Sequence, residues 1–177
     1  ITVIPASAGG TATASKPTVC SGYSTTIKLT GHTGTTIQWQ QSVDGSTGWA
    51  AVTGGSGATS DTYSTPNLTT TTYYRAVVTS GLCTSAISTT ASVTITANMW
   101  EGTYSEAWEN VNNWTCKIPL SSEDVIFSNS AVNNLVVPDG DKIIGNLTNN
   151  STKALVIPTG KTLTINGTVT NTTNSPD

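Results

Sequence analysis

Ionisable side chains are scarce in this chain: seven Lys and Arg, ten Asp and Glu and one His among 177 residues. The cations are scattered singly and the formal net charge is -3, so no basic stripe can follow a phosphate backbone and nucleic acid is not an expected partner. Long apolar runs are also missing. The longest, such as Leu155–Ile157, cover a few residues and fall far short of a bilayer crossing, so no membrane insertion is expected. Catalysis has little to start from. The single histidine, His32, lies in the turn Gly31-His32-Thr33-Gly34 without a nucleophile beside it, and reads as a solvated turn residue. The adjacent carboxylates Glu123 and Asp124, and Asp139 and Asp141, read as turn or capping residues rather than a glycosidase pair. Asp139-Gly140-Asp141 supplies too few oxygen ligands for a calcium site. No enzyme activity, cofactor or metal is expected.

Leu-rich and Ala/Glu/Lys-rich stretches are absent, whereas Thr, Ser, Asn, Gly and Val dominate. Thr and Val favour pleated strands, and Asn and Gly supply turns, so the chain should be all-β. Its length exceeds one minimal sandwich and approaches two small domains. The chain opens on Ile1-Thr-Val-Ile-Pro5 without an initiator Met, which reads as the last strand of an upstream repeat in an internal fragment or processed product. Residues 1–14 are therefore expected to be the end of a preceding repeat or a linker.

From Thr18 to Thr96, alternating runs are separated by turn signals. The runs are Thr26–Leu29, Thr36–Trp39, Tyr73–Val78 and Ala91–Ile95; the turns include Asp44-Gly45-Ser46, Gly54-Gly55-Ser56-Gly57 and Ser80-Gly81. This spacing predicts an immunoglobulin-like β-sandwich of about seven strands over residues 15–97. Trp39 sits mid-strand between the polar residues Gln38 and Gln40, and is expected at the centre of the core. Of Tyr73 and Tyr74, one should point inward and the other outward near Arg75.

The second part carries a different signal. Leu135-Val-Val-Pro138-Asp-Gly140 returns as Leu155-Val-Ile-Pro158-Thr-Gly160 at an offset of 20 residues, with Ile143 and Asn146 aligning on Leu163 and Asn166. Short aliphatic strands with Pro-x-Gly corners fit a β-solenoid, or β-helix, whose coils stack inward aliphatics; Val136, Ile143, Ile157 and Leu163 are the expected members of those rows. Two coils cannot bury their own face, so the native protein is expected to continue past Asp177. Residues 98–177 should thus form a tryptophan-rich cap and the first coils. The Asn-x-Ser/Thr sequons, such as Asn67 and Asn113, arise by chance in so Asn- and Thr-rich a chain.

Two stretches carry a resemblance. Val19-Cys20-Ser21-Gly22, Leu29–Gly34, Ile37–Gln40, Val43-Asp44-Gly45, Trp49 and Tyr74–Cys83 together resemble the tandem immunoglobulin-like repeats of giant Bacteroidota surface proteins, which include gliding-motility adhesins and other type IX secretion cargo. Trp100-Glu-Gly, Trp108, Asn113-Trp114, Pro119 and Asp124-Val125 resemble the lead-in to solenoid segments of autotransporter-like and Bacteroidota surface proteins. The first resemblance implies a surface stalk without chemistry. It also implies as partners the neighbouring repeats, with surface polysaccharide or other cells beyond them. The second assigns Trp100, Trp108 and Trp114 to a lid over the first coil, with Trp108 and Trp114 substantially buried. The alternative makes Trp100, Tyr104, Trp108 and Trp114 a sugar-stacking platform in a carbohydrate-binding accessory module of a secreted polysaccharide-degrading enzyme.

Three cysteines allow one disulfide and a leftover thiol, which suits an oxidising, extracellular cell-surface location. Cys20 and Cys83, each beside a glycine turn, are the favoured pair. Standard immunoglobulin topology would place them at opposite ends of the sandwich, out of bonding range, so pairing of one of them with Cys116 stays open.

Overall fold

The computed structural model describes residues 4–137 and 141–173. The corner Pro138-Asp139-Gly140 and residues Ile1–Val3, which carry part of the expectations above, lie outside them. The chain divides into two compact units, Ile1–Thr96 and Ala97–Asp177. Both are built of β-strands in several sheets, and the one helical element among the described residues is a 3-10 turn at Val111–Asn113.

Among the described residues of the first unit there are nine strands: β1 Thr11–Ala14, β2 Thr18–Cys20, β3 Thr26–Thr30, β4 Thr36–Ser42, β5 Ala50–Ala51, β6 Thr62–Ser64, β7 Thr72–Thr79, β8 Ala86–Ile87 and β9 Ala91–Thr96. One sheet has the order β1-β3-β6; the other runs β2-β9-β7-β4-β5, with β8 alongside β7. The period of two in the sequence selects the buried faces. In β7, Thr72, Tyr74, Ala76 and Val78 are buried while Tyr73, Arg75, Val77 and Thr79 are only half-buried. In β3, Ile27 and Leu29 are buried between exposed Thr and Lys. Trp39 is fully buried as expected, stacked 6.4 Å from Tyr63, which in turn lies 5.8 Å from Tyr74. Its indole N–H donates to the Ser60 carbonyl, so burying the ring leaves no polar atom unpaired.

The beginning of the chain departs from the linker expectation. Thr11–Ala14 pair antiparallel with Ile27–Thr30, Ala8 bridges Thr33, and the Ser7 hydroxyl accepts from the Ser80 N–H. The alternation Thr-Ala-Thr-Ala is a short strand with buried Ala12, the small side chain that a close approach to the core permits. The same segment then crosses to the other sheet, where β2 runs parallel to β9.

Among the described residues of the second unit there are eight strands: β10 Met99–Trp100, β11 Val125–Phe127, β12 Leu135–Val136, β13 Lys142–Ile144, β14 Leu147–Asn149, β15 Leu155–Val156, β16 Leu163–Ile165 and β17 Val169–Asn171. All pair in parallel, in three ladders: β10-β11-β14-β17, β12-β15 and β13-β16. The 20-residue offset holds for Leu135 on Leu155 but becomes 21 for Ile144 on Ile165 and 22 for Leu147 on Val169. The inward row is shifted by one residue at two of the four expected positions: Leu135, Val137, Ile144 and Leu147 are buried, whereas Val136 is half-buried and Ile143 is 43% exposed. Leu163 is half-buried against the core of this unit, and Ile157, 46% exposed, follows Leu155 by two residues as buried Val137 follows its partner Leu135. In a pleated strand a one-residue displacement sends a side chain to the opposite face.

A second repeat, at 22 residues, sits in the turns: Gly145-Asn-Leu-Thr-Asn149 and Gly167-Thr-Val-Thr-Asn171. Asp124 Oδ1 accepts from the N–H and side-chain amide of Asn146 at 2.8 and 3.0 Å, and Asn146 Oδ1 accepts from the N–H and hydroxyl of Thr168 at 2.9 and 3.0 Å. A Cβ at Gly145 would collide with Asp124 Oδ1, and one at Gly167 with Asn146 Oδ1. These glycines are required for space, so that a polar side chain of one turn can reach the backbone of the next.

Truncating Trp39 tests the centre of the first unit. Trp39→Ala should destabilise that unit by about 3–5 kcal/mol in a urea titration. A loss below about 1 kcal/mol would place the centre of the core elsewhere.

Candidate functional site

The densest aromatic group opens the second unit. Trp100, Trp108 and Trp114 are 0%, 2% and 6% exposed, and Trp114 meets the other two edge-on with both centroid distances at 5.1 Å. Edge-to-face contacts place positive ring edges on negative ring faces, which stabilises the cluster beyond its burial. Trp114 donates its indole N–H to the Trp108 carbonyl and Trp100 donates to the Asn133 carbonyl. The Trp108 Nε1 has no partner among the described residues.

Asn113, which the sequence reading took as a sequon and as part of the Asn-Trp lead-in but not as a buried polar centre, organises the loop beneath. It is fully buried; its Oδ1 accepts from the N–H groups of Tyr104 and Ser105, and its Nδ2 donates to the Ser105 hydroxyl and the Ala107 carbonyl. All four hydrogen-bonding positions of the amide are thereby used. A buried amide saturated in this way is held inside the fold, where no glycan could reach it.

Around this cluster the first edge of each ladder is covered. Trp114 bridges Trp100 of β10, Ala107 bridges Val136 of β12, and on β13 the Ile143 carbonyl accepts from Ser122 N–H while Gly145 N–H donates to the Glu123 carbonyl. Burial removes Trp100, Trp108 and Trp114 from the sugar-stacking alternative, because a pyranose needs an open ring face. Tyr104, 68% exposed, is the one member of that set with an accessible ring.

On the outer face of the larger sheet in the first unit, the Arg75 guanidinium lies 4.2 Å over the Trp49 ring and donates from Nε to Gln40 Oε1. Arg75 is thus the cation near one of the two tyrosines, and Tyr73 is the outward one. The inward Tyr74 has its phenol pushed up to about 12, first by burial and then by neighbouring Tyr63; the Thr72 hydroxyl beside it is taken by the Thr70 carbonyl. Asp44 shapes the hairpin loop between β4 and β5. The Thr47 hydroxyl, the N–H groups of Thr47 and Ser46 and the Ser42 hydroxyl all donate to it and hold its carboxyl well below the usual range.

The carboxylates examined for catalysis have structural occupations. Burial works to raise the pKa of Glu123, but the Lys117 ammonium 2.6 Å away and the Leu120 N–H outweigh it and hold the carboxyl below its usual range. Asp124 serves the turn ladder; Asp139 lies outside the described residues. His32 is half-buried in its turn. Among the described residues no group of three His, Cys, Asp or Glu side chains could hold a metal ion, and no helix is long and apolar enough to cross a membrane.

The favoured Cys20–Cys83 pairing is overturned. Cys20 and Cys116 are each in the disulfide state, whereas Cys83 is a free thiol with its Sγ 3.8 Å from the Pro5 carbonyl. The registers explain why. Cys20 lies opposite Thr96 at the end of β9, while Cys83 follows the far end of antiparallel β7. Eight residues of strand, on the order of 25 Å, separate those ends, far beyond the roughly 7 Å Cα separation a disulfide spans.

A family model described as "Domain of unknown function (DUF8696)" matches residues 8–97. The "Minor fimbrium subunit Mfa5" of Porphyromonas gingivalis is 45% identical over 83 residues, a match covering 41% of this chain and 7% of that protein. The chain therefore spans well under a tenth of that relative's length. No solved structure matches.

Two measurements check these assignments. Trp114→Ala should cost the second unit about 3–5 kcal/mol, because it removes both edge contacts and an internal hydrogen bond; an unchanged denaturation midpoint would show that the cluster does not hold the unit. Iodoacetamide applied without reductant should modify Cys83 alone, with Cys20 and Cys116 labelled only after reduction. Label on Cys20 in the unreduced chain would contradict the assignment.

Proposed function

Because the chain belongs, through residues 8–97, to the family described as domain of unknown function DUF8696, we propose that it is a non-catalytic structural segment of a bacterial cell-surface protein of fimbrial or adhesive type. In this reading it is a stalk that holds a binding region away from the cell. The observation carrying the proposal is the 45% identity to a minor fimbrium subunit.

The architecture supports a spacer. In the first unit, the orders β1-β3-β6 and β2-β9-β7-β4-β5 suit an immunoglobulin-like sandwich in which the N-terminal segment contributes a strand to each sheet. In the second, parallel ladders at 20 to 22 residues suit coils of a β-helix behind a tryptophan-rich cap. Both units place their buried polar groups in packing and hydrogen bonds, and Glu123 and Asp124 are committed to turns.

Its partners in this reading are neighbouring modules of the same protein and like subunits, with surface polysaccharide or other cells contacted beyond them. Attachment is favoured over gliding, since the relative's name denotes a fimbrium. Brief protease treatment of intact producing cells should release peptides from residues 8–97. Recovery of those peptides only from the cytoplasmic fraction would overturn the proposal.

A further inference from the structure

Among the described residues, Arg75 is the only charged side chain on the six strands of the larger sheet in the first unit. It stands on the outer face, opposite Gln40; the next outward pair is Gln38 with Val77, and Val77 pairs in turn with Ile87 of β8. No carboxylate among the described residues forms an ion pair with it. The first unit contains two acids, Asp44 and Asp61. Asp44 is taken up by the donors of its own loop, and Asp61 lies beside the smaller sheet, where its carbonyl accepts from Leu29 N–H.

An arginine without a counter-charge on an open face is ordinarily free to sample its rotamers, yet this one is held twice. Its guanidinium lies 4.2 Å over the Trp49 ring, and its Nε donates to Gln40 Oε1 at 2.9 Å. Trp49 is placed in turn by the loop that Asp44 organises, which folds back onto the sheet: Gly45, at φ 71°, touches the Tyr73 ring so closely that a Cβ would collide with it. Engaging Nε closes the side-on approach to the guanidinium. The two terminal amino groups remain as a preset fork that can donate to both oxygens of one carboxylate.

The neighbouring groups indicate what carries that carboxylate. Strands β4 and β7 are paired on both sides, so an extended peptide cannot add to them as a strand and recognition has to run through side chains. Gln38 and Gln40 stand two residues apart on one face, roughly 7 Å from each other, and offer planar amides. Beside them Val77 and Ile87, the latter 54% exposed, form an apolar floor. A pyranose bearing a carboxylate matches this set, with an apolar C–H face, a rim of hydroxyls and one anion.

We propose that the outer face of the larger sheet binds a uronic acid residue of an acidic polysaccharide. Arg75 takes the carboxylate end-on, the amides of Gln38 and Gln40 take hydroxyls, and the ring rests on Val77 and Ile87. This names the class of polysaccharide contacted and rests on the surface reading given above.

The full chain is titrated with trigalacturonate at neutral pH and physiological salt, with its methyl ester and triglutamate as comparison probes, while the side-chain N–H signals of Arg75, Trp49, Gln38 and Gln40 are followed by NMR. Trigalacturonate should saturate and shift those signals. The ester and triglutamate should bind at least about tenfold more weakly, as should trigalacturonate to Arg75→Gln, with Arg75→Lys intermediate because it keeps the charge and loses the fork. No saturation by about 10 mM, shifts confined to other residues, undiminished binding by Arg75→Gln, or equal affinity for the ester or for triglutamate would each overturn the proposal. The shifts in the unaltered chain decide it even where Arg75→Gln fails to fold. If no sugar binds while protease still releases peptides of residues 8–97 from intact cells, the sugar site falls and the surface reading stands.

Discussion

An open strand edge is the constraint to which both units answer. Every second residue of an edge strand turns an N–H and a C=O outward, where they must find a partner or remain in water, and a flat apolar edge invites association. The first unit meets the constraint with its N-terminal segment, which pairs with β3 in one sheet and then with β9 in the other. The second meets it at one end with the segment around Trp100, Asn113 and Trp114. Because this segment supplies backbone as well as rings, its buried tryptophans could not be turned outward without uncovering the ladder.

Much of this was legible in the sequence. Period-two alternation located β3, β4, β7 and β9, and Trp39 between two glutamines gave the centre of the first core. The resemblance of the tryptophan-rich stretch to a solenoid lead-in led to the expectation that Trp108 and Trp114 are buried, as they are. What escaped the reading depends on register. Ile143 was chosen for the core in place of Ile144, since both neighbours are isoleucine and hydrophobicity alone cannot decide the face. The Asp124–Asn146–Thr168 ladder was missed because an offset of 20 aligns Asn146 with Asn166, whereas its structural counterpart is Thr168. The motif Gly-x-(Leu/Val)-Thr-Asn, repeated at 22, was the signal that could have found it.

The cysteines show how topology governs covalent chemistry. Spacing favoured Cys20 with Cys83 because both flank glycine turns, yet the parallel β2–β9 pair sends Cys20 to the end of the sheet remote from Cys83. A standard sandwich layout already implied that separation. The structure adds that β2 belongs with β9 at all, which no local pattern announces: Thr18-Val19-Cys20 is three residues long and its pairing joins residues more than seventy positions apart.

The unequal offsets of the three ladders, 20, 21 and 22 residues, have an evolutionary consequence. Strands fix the alignment of the ladders, and corners absorb length, so a single-residue insertion or deletion at a corner leaves all three ladders aligned. A sequence that builds such parallel ladders can therefore lose recognisable periodicity while keeping the same stacked backbone. A comparison that allows gaps only at corners would detect kinship where one that assumes a constant repeat length sees unrelated Thr- and Asn-rich sequence.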